Sequence, residues 1–174
     1  VRQSSSHEAG VGPKATRTWW AWPLSQPAYG RELDAIVDGW KKAKAVLEAA
    51  QGAPFDRTYL AGSSNGAYFV TRLVLRGDLE PRGFHVDGFG AMSGGSAAGR
   101  GASSLEGREV RRFYVGFGSH DPASKEAARP LVALLRAAGW PVRVAEHPVG
   151  HGAREVYIDE AFAFWDAART PDGG

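Results

Sequence analysis

Three residues of this chain have types and settings suited to nucleophilic catalysis. Gly62-Ser63-Ser64-Asn65-Gly66 fits G-x-S-x-G, the spacing of a tight turn that presents a serine hydroxyl between a strand and a helix. A side chain at either glycine would collide with the neighbouring backbone, so the spacing carries a steric meaning. A serine hydroxyl is a weak nucleophile until a base takes its proton. Of the five histidines, His151 lies between Gly150 and Gly152, in a loop expected just beyond the last strand. His7, His85, His120 and His147 are placed less well for that role. The histidine in turn needs a carboxylate to fix its tautomer and to stabilise its charged form. Asp121, in Gly118-Ser119-His120-Asp121-Pro122, follows a strong strand. An aspartate before proline is also an ordinary turn or helix-capping residue, and both readings stand at this point. Asp87, Glu146 and Asp159 are the substitutes if Asp121 is only a cap.

The elements that would hold these groups alternate. Gly30 to Ala50 has helical periodicity, with Leu33, Ile36, Val37, Trp40 and Leu47 on one face. Arg57 to Ala61 is a short β-prone run leading into the glycine-flanked serine. A second helix comes next, ending at Gly77. Val86 to Met92 is a strand interrupted by glycines, and Gly94 to Gly107 reads as a loop. Val110 to Phe117 is a strong strand, and Lys125 to Ala138 a helix in which Pro130 either forces a kink or marks a later start. Val142 to Glu146 is a strand and Glu155 to Trp165 the last helix. This order predicts an α/β fold with a mostly parallel sheet and helices on its faces. In such sheets reactive groups collect beyond the carboxyl ends of the strands. The order Ser64, Asp121, His151, with each residue after a different strand, strengthens the joint reading beyond any one motif.

Residues 1–16 are rich in Ser and Gly without periodicity and read as a loose leader. Residues 17–169 read as one domain, and 170–174 as a frayed tail. Trp19, Trp20 and Trp22 serve either as core packing or as a pocket wall. The chain has 174 residues, 43% of them hydrophobic and 23% charged, with a net charge of +2 and no cysteine. Basic residues are interspersed with acidic ones, giving no electrostatic footprint for nucleic acid. Disulfides, thiolate metal sites and a cysteine nucleophile are excluded. No apolar run is long enough for a membrane span.

The sequence resembles the α/β-hydrolases, and within them bacterial esterases of the dienelactone-hydrolase-like and polyhydroxybutyrate-depolymerase-like kinds. The resemblance rests on the Trp-rich segment, Tyr59-Leu60-Ala61-Gly62-Ser63-Ser64-Asn65-Gly66-Ala67, Met92-Ser93-Gly94-Gly95, Gly116 to Asp121, and Gly150-His151-Gly152. It implies a three-layer α/β-hydrolase-like fold with Ser64 as nucleophile, Asp121 as acid and His151 as base. It also implies the Asn65 backbone N–H as one oxyanion donor. The reaction implied is hydrolysis of a small-molecule or polymeric ester, with no metal or organic cofactor. A serine peptidase or amide hydrolase uses the same triad, and an impaired, non-catalytic hydrolase-fold fragment is the rival from another class. The sequence departs from the family at its N-terminal side, where the usual strands and the second oxyanion donor are not seen. The sheet is therefore expected to be incomplete there, leaving the Ser64 strand near an edge. A missing segment, a second copy of the chain or the Trp-bearing leader would cover that edge.

Overall fold

The structure is a computed structural model that describes residues 5–10, 16–95, 105 and 107–167, with side chains from residue 21 onward. Two strands, β1 (Ser5–Gly10) and β2 (Thr16–Ala21), pair antiparallel as a separate hairpin. Helix α1 (Gln26–Gln51) comes next, then β3 (Tyr59–Ser63), α2 (Asn65–Arg76), a 3₁₀ turn (Glu80–Arg82) and β4 (Gly88–Met92). The chain continues through β5 (Arg112–Gly118), α3 (Pro122–Ala137), β6 (Val142–His147) and α4 (Glu155–Asp166). Strands β3-β4-β5-β6 form a parallel sheet in that order. Because all four are parallel, their carboxyl ends lie on one side, and each crossover is to the adjacent strand.

Sequence and burial agree on which faces are covered. The central strands β4 and β5 are buried almost throughout, as expected for parallel strands covered on both sides. On one face Phe89, Phe113, Val115 and Phe117 meet Leu33, Ile36 and Val37 of α1, Phe69 and Leu73 of α2, and Leu131 and Leu135 of α3. On the other, Met92 and Tyr114 meet Tyr157, Ala161 and Trp165 of α4. This three-layer arrangement is the predicted one. The glycines that interrupt β4 have a packing reason. A Cβ at Gly88 would lie 2.7 Å from the Trp165 ring, and the Trp165 indole N–H donates to Phe89 O at 3.1 Å.

Two boundaries differ from expectation. The stretch expected as a loose leader carries β1, and the side chains of Trp19 and Trp20 lie outside the described residues, as does the 170–174 tail. Helix α3 begins at Pro122, three residues early, and runs straight through Pro130. The proline is exposed, and so is Glu126 one turn before it. The carbonyl that loses its helical donor therefore faces water.

Among the described strands β3 pairs with β4 alone, so the Ser64 strand is an edge of the four-stranded sheet. The β1–β2 hairpin is not hydrogen-bonded into that sheet. The segment just after the hairpin docks instead beside the end of β3. Trp22 stacks on Phe69 with ring centroids 5.1 Å apart and meets Trp40 edge-on at 5.8 Å. Pro23 is buried. Among the described residues no helix is long and apolar enough to cross a membrane.

Candidate active site

Ser64 occupies the one-residue turn between β3 and α2, with φ 53° and ψ −119°. A non-glycine residue at positive φ is uncommon and persists only where its surroundings impose it. Here they do. The Ser64 N–H donates to Met92 O at 2.9 Å, and its carbonyl accepts from Ala67 N at 3.0 Å. The flanking glycine permits the turn, since a Cβ on Gly62 would sit 2.3 Å from the carbonyl carbon and oxygen of Gly66. Asn65 opens α2, so its backbone N–H is among the first-turn donors that have no partner within the helix.

The three residues singled out by sequence lie together at the carboxyl end of the sheet. His151 Nε2 is 2.9 Å from Ser64 Oγ, and His151 Nδ1 is 2.7 Å from Asp121 Oδ2. The imidazole is about half exposed, whereas Asp121 is buried, only 8% exposed. The alternative acids are engaged elsewhere or stand apart. Asp87 accepts from Thr58 N at the opposite end of the sheet, Glu146 pairs with Lys125 at 2.7 Å, and Asp159 is exposed on α4. His147, less well placed by sequence, pairs with Glu160 at 3.2 Å.

Asp121 both caps a helix and faces His151, so the two readings of it do not exclude each other. It caps α3, its Oδ1 accepting from Ser124 N at 3.3 Å, while Oδ2 accepts from the Ser124 hydroxyl at 2.5 Å. The same Oδ2 faces His151. Burial pushes the carboxyl up, but the hydrogen bonds from Ser124 and His151 outweigh it and hold Asp121 below its ordinary value of 3.8. The group is thus an anion at neutral pH, as a partner for an imidazolium must be. Ser124 itself was not singled out from sequence. It is buried, and its hydroxyl lies 3.4 Å from His151 Nδ1. The Asp-Pro-Ala-Ser spacing at residues 121–124 is a helix-start pattern and was the available signal.

A second unforeseen contact involves the Asn65 side chain. Its Oδ1 accepts from Trp22 N at 2.6 Å and its Nδ2 donates to Trp22 O at 3.4 Å. The amide thereby ties the segment after the hairpin to the first turn of α2. The Trp22 N–H is engaged in that contact.

A parallel sheet between helical layers, with Ser64, Asp121 and His151 in the turns after β3, β5 and β6, places the chain in the α/β class. No protein-family model matches the sequence, and neither does any curated protein. Solved structures do. A carboxylesterase from Bacillus cereus is 16% identical with a TM-score of 0.58, the match covering 92% of this chain and 73% of that one. SOBER1 from Arabidopsis thaliana is 15% identical with a TM-score of 0.54, covering 88% and 75%. A protein of unknown function from Agrobacterium tumefaciens is 18% identical with a TM-score of 0.55, covering 92% and 74%. At these identities the likeness is one of fold.

Proposed function

We propose that the protein is a serine hydrolase that cleaves carboxylic esters through an acyl-enzyme. The observation that carries this reading is the unbroken hydrogen-bond chain from Ser64 Oγ through His151 to Asp121, at 2.9 and 2.7 Å. Ser64 Oγ attacks the acyl carbon while its proton passes to His151 Nε2. Asp121 stabilises the resulting imidazolium through Nδ1. The Asn65 backbone N–H, at the positive end of α2, faces the charge that develops on the carbonyl oxygen. His151 then returns the proton to the alcohol oxygen as the ester bond breaks. Water repeats the sequence on the acyl-enzyme, yielding the carboxylic acid and free Ser64. The carboxylesterase among the structural neighbours supports the ester over the amide bond.

Two observations favour a second reading, in which turnover is impaired. The Ser64 strand is a sheet edge, and the Trp22 N–H beside the elbow is already engaged. Loss of one oxyanion donor costs about 2.7–4 kcal/mol of transition-state stabilisation. A segment covering the β3 edge, from a second copy or from the N-terminal side, would supply that donor.

Turnover of a p-nitrophenyl acyl ester, set against the matched anilide, separates ester from amide hydrolysis, and parent turnover no faster than background marks the impaired reading. We expect ester hydrolysis that disappears in Ser64→Ala, with the anilide far slower. Equal rates on both bonds would reassign the protein as an amide hydrolase. Ester turnover identical in Ser64→Ala and the parent protein would remove the mechanism.

A further inference from the structure

The end of β4 presents a buried side chain that the mechanism above does not use. Ser93 is fully buried and has a φ of 48°, the left-handed conformation that a glycine would adopt freely. The next two residues, Gly94 and Gly95, are glycines with positive φ. A serine held in this conformation among glycines invites the question of what its hydroxyl does.

The hydroxyl donates to Gly152 O at 2.9 Å, and Gly152 is the residue immediately after His151. We propose that Ser93 is a positioning residue for His151, its hydroxyl fixing the loop that aims the imidazole at Ser64. The proposal rests on the ester-hydrolase reading for its catalytic consequence, but the geometric part stands by itself.

The loop is pinned on both sides of the histidine, by different means. Ahead of His151 the attachment is to backbone. The His120 N–H donates to Val149 O at 3.1 Å, and β5 approaches so closely that a Cβ on Gly118 would lie 1.9 Å from that oxygen. After His151 the carbonyl of Gly152 is held by the Ser93 side chain. Because His151 is itself half exposed, packing around its ring contributes little to its orientation. Its orientation therefore rests on the Asp121 hydrogen bond to Nδ1 at 2.7 Å together with the loop attachments, the kind of support that reactive groups need in general.

Ser93 is in turn held from below. Its N–H donates to Gly116 O at 2.8 Å. Tyr157 packs over Gly116, where a Cβ would come within 2.7 Å of its ring. Burial raises the Tyr157 phenol above its ordinary value, and the neighbouring Ser93 hydroxyl offsets part of that rise. The same β4 end also accepts the Ser64 N–H through Met92 O. Adjacent residues at and just past the end of β4 thus hold the nucleophile turn and the loop of the base.

The test compares Ser93→Ala, which keeps the backbone cost, with Ser93→Gly, which relieves it and so folds even where alanine does not. Two readouts are taken: the second-order rate of Ser64 labelling by a fluorophosphonate, and the downfield proton resonance of the His151–Asp121 hydrogen bond. Both variants are expected to label about 3- to 10-fold more slowly, the range of one lost hydrogen bond, and to broaden or lose the resonance. Parental labelling with an unchanged resonance in either variant overturns the proposal, and recovery in glycine alone assigns the effect to backbone strain rather than to the hydroxyl, which also overturns it. If the parent protein does not label at all, the ester-hydrolase reading fails, while the resonance still decides whether Ser93 positions His151.

Discussion

His151→Ala is expected to lower ester turnover by about 10⁴- to 10⁶-fold while leaving the fold intact, in line with losses of a triad base elsewhere. The two halves of that expectation come from different features. The large kinetic effect arises because Ser64 Oγ has His151 Nε2 at 2.9 Å as the base in reach, and an unassisted hydroxyl is a poor nucleophile. The small structural effect arises because the imidazole is half exposed and fills no part of either core. Asp121→Asn separates the same two links differently. Asparagine still caps a helix, so α3 should persist, but it offers Nδ1 no negative charge, and turnover should fall by about 10⁴-fold. Steady-state ester kinetics alongside thermal melting measure both quantities. A His151→Ala protein within tenfold of the parent rate would mean that Ser64 is not activated by this residue.

Gly62→Ala should be among the most damaging single-methyl additions in the chain. The added Cβ would meet the carbonyl carbon and oxygen of Gly66 at 2.3 Å and Ala67 N at 2.8 Å. These are backbone atoms at the start of α2, so no side chain can swing aside. The turn must open, and opening it moves Ser64 away from His151. Overpacking of this kind costs about 3 kcal/mol or more, which for a domain of this size is a fall in Tm of about 6–12 °C. Gly30→Ala is the internal contrast. That glycine lies within α1 with nothing within 4 Å of the added methyl. Alanine there should stabilise by about 0.5–1 kcal/mol through helix propensity. Calorimetry on both variants checks the pair. A Gly62→Ala protein melting with the parent would show that the elbow is looser than its contacts require.

The features legible in the sequence are the local ones. The elbow announces itself because strand, turn and helix are contiguous, although the backbone clash expected of both glycines falls on Gly62 alone, a Cβ at Gly66 meeting only the Trp22 side chain at 3.3 Å. Asp121 and His151 were reachable from their position after strands, since a parallel sheet gathers its carboxyl ends whatever the loops contain. Ser93 and Ser124 were not legible in the same way. Their importance lies in contacts with residues far along the chain or across a loop, such as Ser93 with Gly152, and nothing in a serine's neighbours announces such a partner. The early start of α3 was hidden because Pro122 reads as a breaker, although proline suits the first helical turn. Pro130 looked disruptive because periodicity alone does not say that its freed carbonyl faces water. The strand Ser5–Gly10 is hidden in the sequence because it holds none of the β-branched residues, Phe, Tyr or Trp that mark strands.

The most direct test of the central claim is the intact mass of the protein after exposure to a fluorophosphonate, with peptide mapping of the product. The account predicts a single adduct on Ser64 in the parent protein, none in Ser64→Ala, and a strongly slowed reaction in His151→Ala. An adduct confined to another serine, Ser93 or Ser119 for example, or equal labelling of parent and Ser64→Ala, would contradict it.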